Sequence, residues 1–281
     1  MAHSDKKKRQ SFVTDKFLNM TMGKLVSRKK HDEEIEDKWG FYLLAKDYFK
    51  REAVKVSQGS DIKQFIDFAV RTKRLILKPN DKCIGSGITI ADVSSEKDAR
   101  KVFGELIEKG GAWIIEERLV QDDRMAQWNE SSVNTVRVLS FLNAEGFFII
   151  TPFFRTGRKG SVVDNAGAGG VFANIDYVKG IIETDGIDEH GKYYSAHPDS
   201  GITFKGWHIP EWNTLLKTVE EIHKTVMPEH PYIGWDFALT KDRGWCVIEA
   251  NWGQFVNQYI DKKGRKEEFL RYVTAKPYRR R

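Results

Sequence analysis

The sequence predicts an α+β fold in which strands occur in pairs, with helices between the pairs. Short runs rich in Val, Ile and Phe, such as KRLILKP and AWIIEE, are typical of buried strands. Longer segments place apolar residues at helical spacing, as in the stretch that follows Pro210. Turn-forming residues such as Glu145-Gly146 join strands directly, which favours antiparallel hairpins over the alternating order of a parallel sheet.

The elements can be placed in chain order. Ser95 is the predicted N-cap of one helix, which Gly110 and Gly111 close, and Pro228 ends the long helix that begins at Pro210. Helices are predicted over about 39–48, 61–70, 95–109, 210–227 and 264–273. Strands are predicted over about 73–79, 88–91, 112–117, 133–143, 147–154, 171–176 and, as a hairpin, 234–251.

Composition excludes several classes of protein. The chain has 281 residues, of which 40% are apolar and 12% aromatic, so it can bury a globular core. No apolar run approaches the roughly 20 residues that a membrane span needs, and no secretion signal follows MAHSDKKKRQ. Two cysteines are too few for a disulfide framework or a zinc cluster, so we expect a cytoplasmic protein.

The formal charge of +6 does not by itself indicate a nucleic-acid partner. Much of the excess lies in basic runs at the two ends of the chain, and such runs are usually solvated tails. The sequence has no recognised nucleic-acid motif and no basic face interleaved with aromatics. A polyphosphate or an anionic glycan fits the same charge.

The stretch GWDFALTKDRGWCVIEAN carries two acids and an amide that can share a metal ion. If Thr240 and Trp245 flank the turn of a hairpin, Asp236 lies opposite Glu249. Side chains alternate along a strand, so Asn251 lies on the same face as Glu249. Two carboxylates that face each other repel unless a cation lies between them, and oxygen ligands favour magnesium. A surface hairpin with two solvated acids is the alternative.

Lys78 and the glycines that follow it form a candidate phosphate-binding element. Lys78 ends a buried strand, and Gly85-Ser86-Gly87 begins seven residues later. Backbone N–H groups of a glycine turn can close on phosphate oxygens while an ammonium group supplies positive charge. The spacing of a P-loop is absent, and an ordinary hairpin turn is the alternative.

Further charged residues lie on predicted strands. Glu116 and Glu117 follow the apolar run AWII, where a backbone and a carboxylate can take up an adenine edge and a ribose; surface acids are the alternative. Arg137 and Arg155 have apolar neighbours and need an anionic partner, which favours a phosphate site over a structural ion pair. Asn165 lies in a second glycine-rich loop, DNAGAGG.

The order of these motifs resembles the ATP-grasp superfamily and is most similar to its sugar-transfer-associated proteins. The shared motifs are Lys-Pro with a glycine loop, Glu-Glu, SVNTVRV, DNAGAGG, and GWDFALT with VIEANWG, over about residues 38–257. The resemblance implies two α+β subdomains, 36–120 and 121–281, that grip ATP between antiparallel sheets. We expect residues 1–35 to be a flexible or short irregular segment and the pre-grasp domain to be largely missing. The acceptor site would then be small, shared with a partner protein or completed by a homo-oligomer.

The resemblance also implies roles for the nucleotide-binding residues. Lys78 would hold the α-phosphate of ATP, and the loop Gly85–Gly87 would close over the β- and γ-phosphates. Lys38 is similar to an earlier nucleotide lysine of the family, with Lys46 as a competing candidate. Asn165 would also contact the nucleotide.

The remaining implied roles concern the adenosine and the metal. Glu116 and Glu117 would bracket the adenine, with Val120 nearby. Gln121 or Asp122 would reach the ribose, although relatives tend to carry a histidine at the second of these positions. The implied ligands of Mg²⁺, with Mn²⁺ as an alternative ion, are Asp236, Glu249 and Asn251.

The implied activity is ATP- and Mg²⁺-dependent ligation of a small carboxylate to an amine through an acyl phosphate. Arg137 or Arg155 would stabilise the charge of the tetrahedral intermediate. The association with sugar transfer favours a sugar-linked substrate in polysaccharide or cell-envelope precursor synthesis. A kinase and a nucleotide-binding regulator without turnover are the alternatives. We expect Asp236→Ala or Glu249→Ala to abolish ATP turnover and to leave the fold intact.

Overall fold

Two antiparallel sheets face each other across a cleft in the computed structural model, which describes residues 8–80, 87–161, 169–253 and 255–278. The strands are β1 Ala53–Val56, β2 Arg74–Pro79, β3 Thr89–Asp92, β4 Trp113–Glu117, β5 Thr135–Asn143, β6 Gly146–Thr156, β7 Val171–Asp176, β8 Ile181–Ile182, β9 Gly186–Ile187, β10 Tyr193–Tyr194, β11 Tyr232–Thr240 and β12 Gly244–Asn251. The helices are α1 Asp15–Leu25, α2 Arg28–His31, α3 Lys38–Leu44, α4 Lys46–Phe49, α5 Ile62–Thr72, α6 Glu96–Lys109, α7 Asp123–Ala126, α8 Trp212–Thr225, α9 Asn257–Ile260 and α10 Lys266–Val273, with a π-helical turn at Asp32–Glu36. The predicted α+β class is confirmed.

The smaller sheet has four strands in the order β1-β4-β2-β3. Helices α5 and α6 pack their apolar residues on one of its faces, where Phe65, Ala69 and Leu106 are buried against Ile115 of β4. Ser95 caps α6 as predicted, because its hydroxyl accepts a hydrogen bond from the Asp98 amide. The other face of this sheet is left to form one wall of the cleft.

The larger sheet contains β5 to β12 and runs β10-β9-β7-β6-β5-β11-β12, with β8 paired to β7. Alternation along its strands gives it two faces with separate cores. On one face, Trp235 and Phe237 pack with Leu215 and Ile222 of α8. On the opposite face, aromatic residues of the sheet pack with α1 and α10, and the part of this face that these helices leave uncovered forms the second wall of the cleft. Strands β1–β4 fall within 36–120 and β5–β12 within 121–281, and the exact subdomain boundaries stay a prediction.

The N-terminal segment differs from the predicted irregular arm. From Asp15 it is helical, and Leu18 and Met22 of α1 are buried in the core beside the larger sheet. The buried Gln258 side chain accepts from the Val13 amide at 2.9 Å and donates to the Val13 carbonyl at 2.6 Å. The segment is therefore packed into the fold by apolar contacts and by a pair of hydrogen bonds.

The helix predicted over 39–48 is divided into α3 and α4, and its buried face is not the predicted one. Leu43 and Leu44, which the spacing placed inside, are 57% and 47% exposed. Tyr42 and Phe49 are buried instead and pack edge-on, with ring centroids 5.1 Å apart. The break at Ala45 turns Phe49 back onto the preceding helix.

The hairpin β11–β12 places Asp236 opposite Glu249, as predicted. The turn itself is one residue tighter than expected, because Thr240 pairs with Gly244. A bulge between Asp236 and Phe237 shifts the register by one residue and restores the predicted pair.

No helix in the described ranges combines the length and the apolar composition that a membrane span requires.

Candidate active site

The cleft between the two sheets encloses a cavity of about 620 Å³ that collects most of the predicted site residues. The predicted residues that line it are Lys38, Lys78, Glu116, Glu117, Val120, Gln121, Arg137, Arg155, Asp236, Glu249 and Asn251. Gly85, Ser86 and Asn165 lie outside the described residues. Gly87 is described, with a φ of 78° that suits glycine, and it is not among the residues that line the cavity.

On the wall formed by the smaller sheet, Lys78 and Glu116 form a buried ion pair. The Lys78 Nζ atom lies 2.8 Å from Glu116 Oε1, and neighbouring strands β2 and β4 bring the two side chains together. Burial lowers the pKa of Lys78, although the Glu116 charge opposes this. Burial tends to raise the pKa of Glu116, but the charges of Arg51 and Lys78 outweigh it and the net pKa is lowered. Glu116 is thus a counter-ion for Lys78, and its contact with adenine stays a prediction.

Arg51 is a third member of this charged group, and the sequence did not indicate its role. Its Nε atom donates to Glu116 Oε2 at 2.7 Å, and Nη1 donates to the Phe49 and Val247 carbonyls at 3.0 and 2.8 Å. Because Val247 belongs to β12 and Glu116 to β4, Arg51 joins the two sheets. A single arginine between a helix and a short strand carries no recognisable pattern, so only the tertiary structure reveals it.

The connector from β4 to the larger sheet holds the remaining predicted adenosine residues. Glu117 accepts from Arg243 Nη1 at 2.7 Å, so its carboxylate is paired across the cleft edge. The Val120 carbonyl accepts from the Lys241 amide at 3.0 Å, and the Val120 side chain is 51% exposed. The connector is therefore attached to the end of the β11–β12 hairpin.

Gln121, a predicted ribose contact, takes part in a hydrogen-bond network within the protein. Its amide nitrogen donates to the Asn129 and Ser132 carbonyls at 2.7 and 2.9 Å. Its amide oxygen accepts from the backbone and side-chain nitrogens of Asn134 at 3.1 and 2.9 Å. These four bonds use both donors and both acceptor lone pairs of the amide. The alternative ribose contact, Asp122, caps α7 and pairs with Arg124, so both candidates are already engaged within the chain.

On the wall formed by the larger sheet, Asp236 is bound by the two predicted arginines. Its carboxylate accepts from Arg137 Nε and, at 2.6 Å, from Arg137 Nη2, and Arg155 Nη1 donates to it at 2.7 Å. All three side chains are almost fully buried. Burial raises the pKa of Asp236, but the guanidinium charges lower it more, so the net pKa lies below its ordinary value. Asp236 is thus an anionic partner of both arginines within the protein, and their contact with a phosphate stays a prediction.

Glu249 and Asn251 lie beside this group on the same face. Arg137 Nη2 is 3.7 Å from Glu249 Oε1, and Arg137 Nη1 donates to Asn251 Oδ1 at 3.1 Å. Packing around the cleft and the negative charge of Asp236 raise the pKa of Glu249, although 46% of its side chain is exposed towards the cleft. Glu249 therefore holds a proton more tightly than an ordinary glutamate does.

The three predicted metal ligands fit a hard cation by chemistry. They offer carboxylate and amide oxygens, which magnesium prefers, and they converge on one edge of the cleft. Within the described part of the chain, no group of three or more His, Cys, Asp or Glu is arranged to hold a metal, so this set depends on the amide of Asn251. Asp236 is the least accessible of the three, because two arginines use its oxygens.

Of the two candidate nucleotide lysines, Lys38 and Lys46, only Lys38 lines the cavity. Lys38 begins α3 at the edge of the cavity, and its Nζ atom lies 3.5 Å from the Asn80 carbonyl, just after β2. Lys46 is exposed and does not line the cavity. Lys38 is thus the lysine that the fold brings to the cleft.

Solved structures with the same fold are ligases and synthetases of low sequence identity. D-alanyl-alanine synthetase A from Vibrio cholerae has a TM-score of 0.53 and 12% identity, over 86% of this chain and 65% of its own. N5-carboxyaminoimidazole synthetase from Staphylococcus aureus, complexed with ADP, gives 0.52 and 11%, over 87% and 52%. D-alanine-D-alanine ligase from Helicobacter pylori gives 0.50 and 11%, over 85% and 60%. The chain thus spans less than two thirds of the length of each of these structures.

Sequence comparison identifies the family directly. A search of curated proteins finds no match. A family model described as sugar-transfer associated ATP-grasp matches residues 19–268, which is most of the chain. The chain therefore belongs to the sugar-transfer-associated ATP-grasp family.

Proposed function

We propose that this protein uses ATP and Mg²⁺ to join a small carboxylate to an amine. The observation that carries the proposal is the cleft, which has Lys78 on one wall and oxygen donors with two arginines on the other. Such walls can hold a polyphosphate at one side and a reacting carboxylate at the other. Membership of the ATP-grasp family and the fold shared with ligases support the same reaction class.

The nucleotide would lie along the wall of the smaller sheet. We assign its phosphates to Lys78 and Lys38, whose ammonium groups flank the end of β2. The group Arg51–Glu116–Lys78 carries two positive charges and one negative charge, so it keeps a net attraction for phosphate. We assign the adenine to the connector near Val120, which is exposed beside the cavity.

The divalent ion would be held by Glu249 and Asn251, with Asp236 as a third donor if its arginines turn away. When bound, the ion would neutralise phosphate oxygens and align them for in-line transfer. Glu249 is suited to this role because its side chain is the most accessible carboxylate of the row. The raised pKa of Glu249 supports the assignment, since a cation would stabilise its charged form.

The proposed chemistry has two steps. A carboxylate oxygen of the acid substrate attacks the γ-phosphorus of ATP, the bond to ADP breaks, and an acyl phosphate forms. The nitrogen of the amine then attacks the acyl carbon, phosphate leaves, and the nitrogen loses a proton as the amide forms. Arg137 or Arg155 would stabilise the oxyanion of the tetrahedral intermediate, a contribution of about 3 to 4 kcal/mol in comparable sites.

The substrate class and setting are part of the proposal. The family's association with sugar transfer favours an acid or amine from a polysaccharide or cell-envelope precursor, acted on in the cytoplasm. A homo-oligomer or a partner protein that completes the acceptor site belongs to the same proposal.

A screen for ADP release tests the proposal. The purified protein is incubated with ATP, Mg²⁺ and panels of amino acids, sugar acids and nucleotide sugars, and the products are identified by mass spectrometry. Hydroxylamine in place of the amine should trap a hydroxamate from a ligase, whereas a hydroxyl kinase should give a phosphorylated product and no hydroxamate. Lys78→Met should weaken ATP binding, with the exposed Lys101→Met as a control. If no acid in the panels causes release of ADP, the proposed ligase activity is refuted.

A further inference from the structure

One side chain contacts every predicted metal donor. In the register of the larger sheet, Arg137 lies opposite Asp236 on the neighbouring strand, and Asp236 lies opposite Glu249 on the next. Directly opposed residues point to the same face, so the three side chains form a continuous row. Asn251 follows two residues after Glu249 and joins the same face.

The guanidinium of Arg137 lies among these donors. Two of its nitrogens bind the carboxylate of Asp236, Nη1 binds Asn251 Oδ1 at 3.1 Å, and Nη2 is 3.7 Å from Glu249 Oε1. A planar group with donors on three nitrogens can satisfy several oxygens at once, which a lysine cannot do in the same geometry. The side chains proposed to bind a divalent ion are therefore also partners of Arg137, Asp236 and Asn251 by hydrogen bonds and Glu249 as an ion pair.

The backbone at Gly253 passes close to these donors, and only a glycine fits there. A Cβ added to Gly253 would overlap Asn251 Oδ1 and meet Arg137 Nη1. The Gly253 amide also donates to Asn251 Oδ1, which fixes the amide oxygen towards the guanidinium. The backbone at Gly253 therefore helps to hold the contact between Asn251 and Arg137, which does not depend on side chains alone.

The charges of this row and of the neighbouring Arg155 balance each other within the protein. Arg137 and Arg155 contribute two positive charges, and Asp236 and Glu249 contribute up to two negative charges. A divalent ion that entered alone would lie next to two guanidinium groups, and this repulsion is strong where solvent is restricted. The phosphates of a nucleotide would supply the negative charge that offsets the added ion and would offer the arginines another partner.

We infer that Arg137 acts as the resident cation of this donor set, so that a divalent ion binds there only together with a polyphosphate. The inference rests on the proposed nucleotide function of the cleft. It makes metal binding depend on the nucleotide, because the ion and Arg137 compete for the same oxygens. Arg137 is then a residue that controls access to the metal site, in addition to any role at the reacting carboxylate.

Manganese binding measured by EPR tests the inference on the full chain without turnover. Wild-type protein should bind Mn²⁺ weakly alone and at least about tenfold more tightly with a non-hydrolysable ATP analogue. Arg137→Met should bind Mn²⁺ alone at least about tenfold more tightly than wild type. Arg100→Met removes an exposed guanidinium paired with Glu96 on α6, and it should leave Mn²⁺ affinity unchanged.

Two outcomes would overturn the inference. One is wild-type protein that binds Mn²⁺ equally well with and without the analogue, and this arm needs no variant to fold. The other is a folded Arg137→Met, checked by circular dichroism, with no gain in Mn²⁺ affinity. If calorimetry detects no binding of the analogue, the proposed function fails, whereas analogue binding without a gain in Arg137→Met refutes the inference alone.

Discussion

Replacing Asp236 with alanine should destabilise the fold strongly. The residue is 2% exposed, and its two partners, Arg137 and Arg155, are each 7% exposed. The substitution removes three charge-assisted hydrogen bonds and leaves two buried guanidinium groups without this carboxylate. Removing one member of a buried ion pair costs about 3 to 5 kcal/mol, and here two cations lose the same partner. That loss is a large share of the roughly 5 to 15 kcal/mol that stabilises a typical domain.

Urea unfolding at neutral pH, followed by tryptophan fluorescence, measures this loss. Glu249→Gln is the matched control, because Glu249 lies next in the row but is 46% exposed, and it should not lower the free energy of unfolding, since it removes a carboxylate whose pKa the fold raises. Combining Asp236→Ala with Arg155→Met should cost less than the sum of the two single changes, since the residues share one network. A free energy of unfolding for Asp236→Ala within about 0.5 kcal/mol of wild type would refute the reasoning.

This prediction revises the expectation that Asp236→Ala would abolish turnover and leave the fold intact. The buried ion pairs make lost activity in that variant ambiguous, because unfolding alone would explain it. Glu249→Gln is the informative substitution for the metal assignment, since it keeps the shape of the side chain at an accessible position.

Three further predictions concern other contacts of the cleft. Arg51→Met should lower the free energy of unfolding by about 3 kcal/mol and weaken ATP-analogue binding, because the buried Glu116 carboxylate then keeps only Lys78 as a cation. An unchanged urea midpoint would contradict this. Gly253→Ala should weaken analogue binding about tenfold in calorimetry, because a Cβ would overlap Asn251, whereas Gly23→Ala in the open part of α1 should preserve it. As the pH rises from 4.5 towards the raised pKa of Glu249, the stability of wild type should fall relative to that of Glu249→Gln in urea titrations, because the folded state holds the Glu249 proton more tightly. Comparing the two proteins cancels the opposite effect of the buried His223 and His230, whose pKa values are lowered by burial; a difference that does not change with pH would contradict this.

The pairing within the hairpin could be predicted from the sequence because it depends on local features of the chain. Turn residues and the two-residue period of a strand place Asp236 opposite Glu249. The bulge that corrects the register has no signature in the sequence, and the predicted pairing holds because the tighter turn and the bulge compensate.

The features that the sequence could not predict depend on contacts between distant parts of the chain. The N-terminal segment looked irregular because charged residues surround Val13, Leu18 and Met22, yet these apolar residues are sufficient to pack on the larger sheet. The hydrogen bonds of Gln121 to Asn129 and Asn134 could not be predicted, because the sequence does not reveal which amides are bonded within the protein. Arg51 was missed for the same reason, since its partners lie far along the chain.

The turn between β11 and β12 reaches across to the elements beside the smaller sheet. Arg243 in this turn donates to Glu117 and to the Lys50 carbonyl, and Lys50 Nζ donates back to the Arg243 carbonyl at 3.0 Å. The same hairpin carries Asp236 and Glu249 near the end that is farther from the turn. Any change in the separation of the two sheets therefore pulls on the strands that hold the acids, so the width of the cleft and the spacing of its charged groups are mechanically linked.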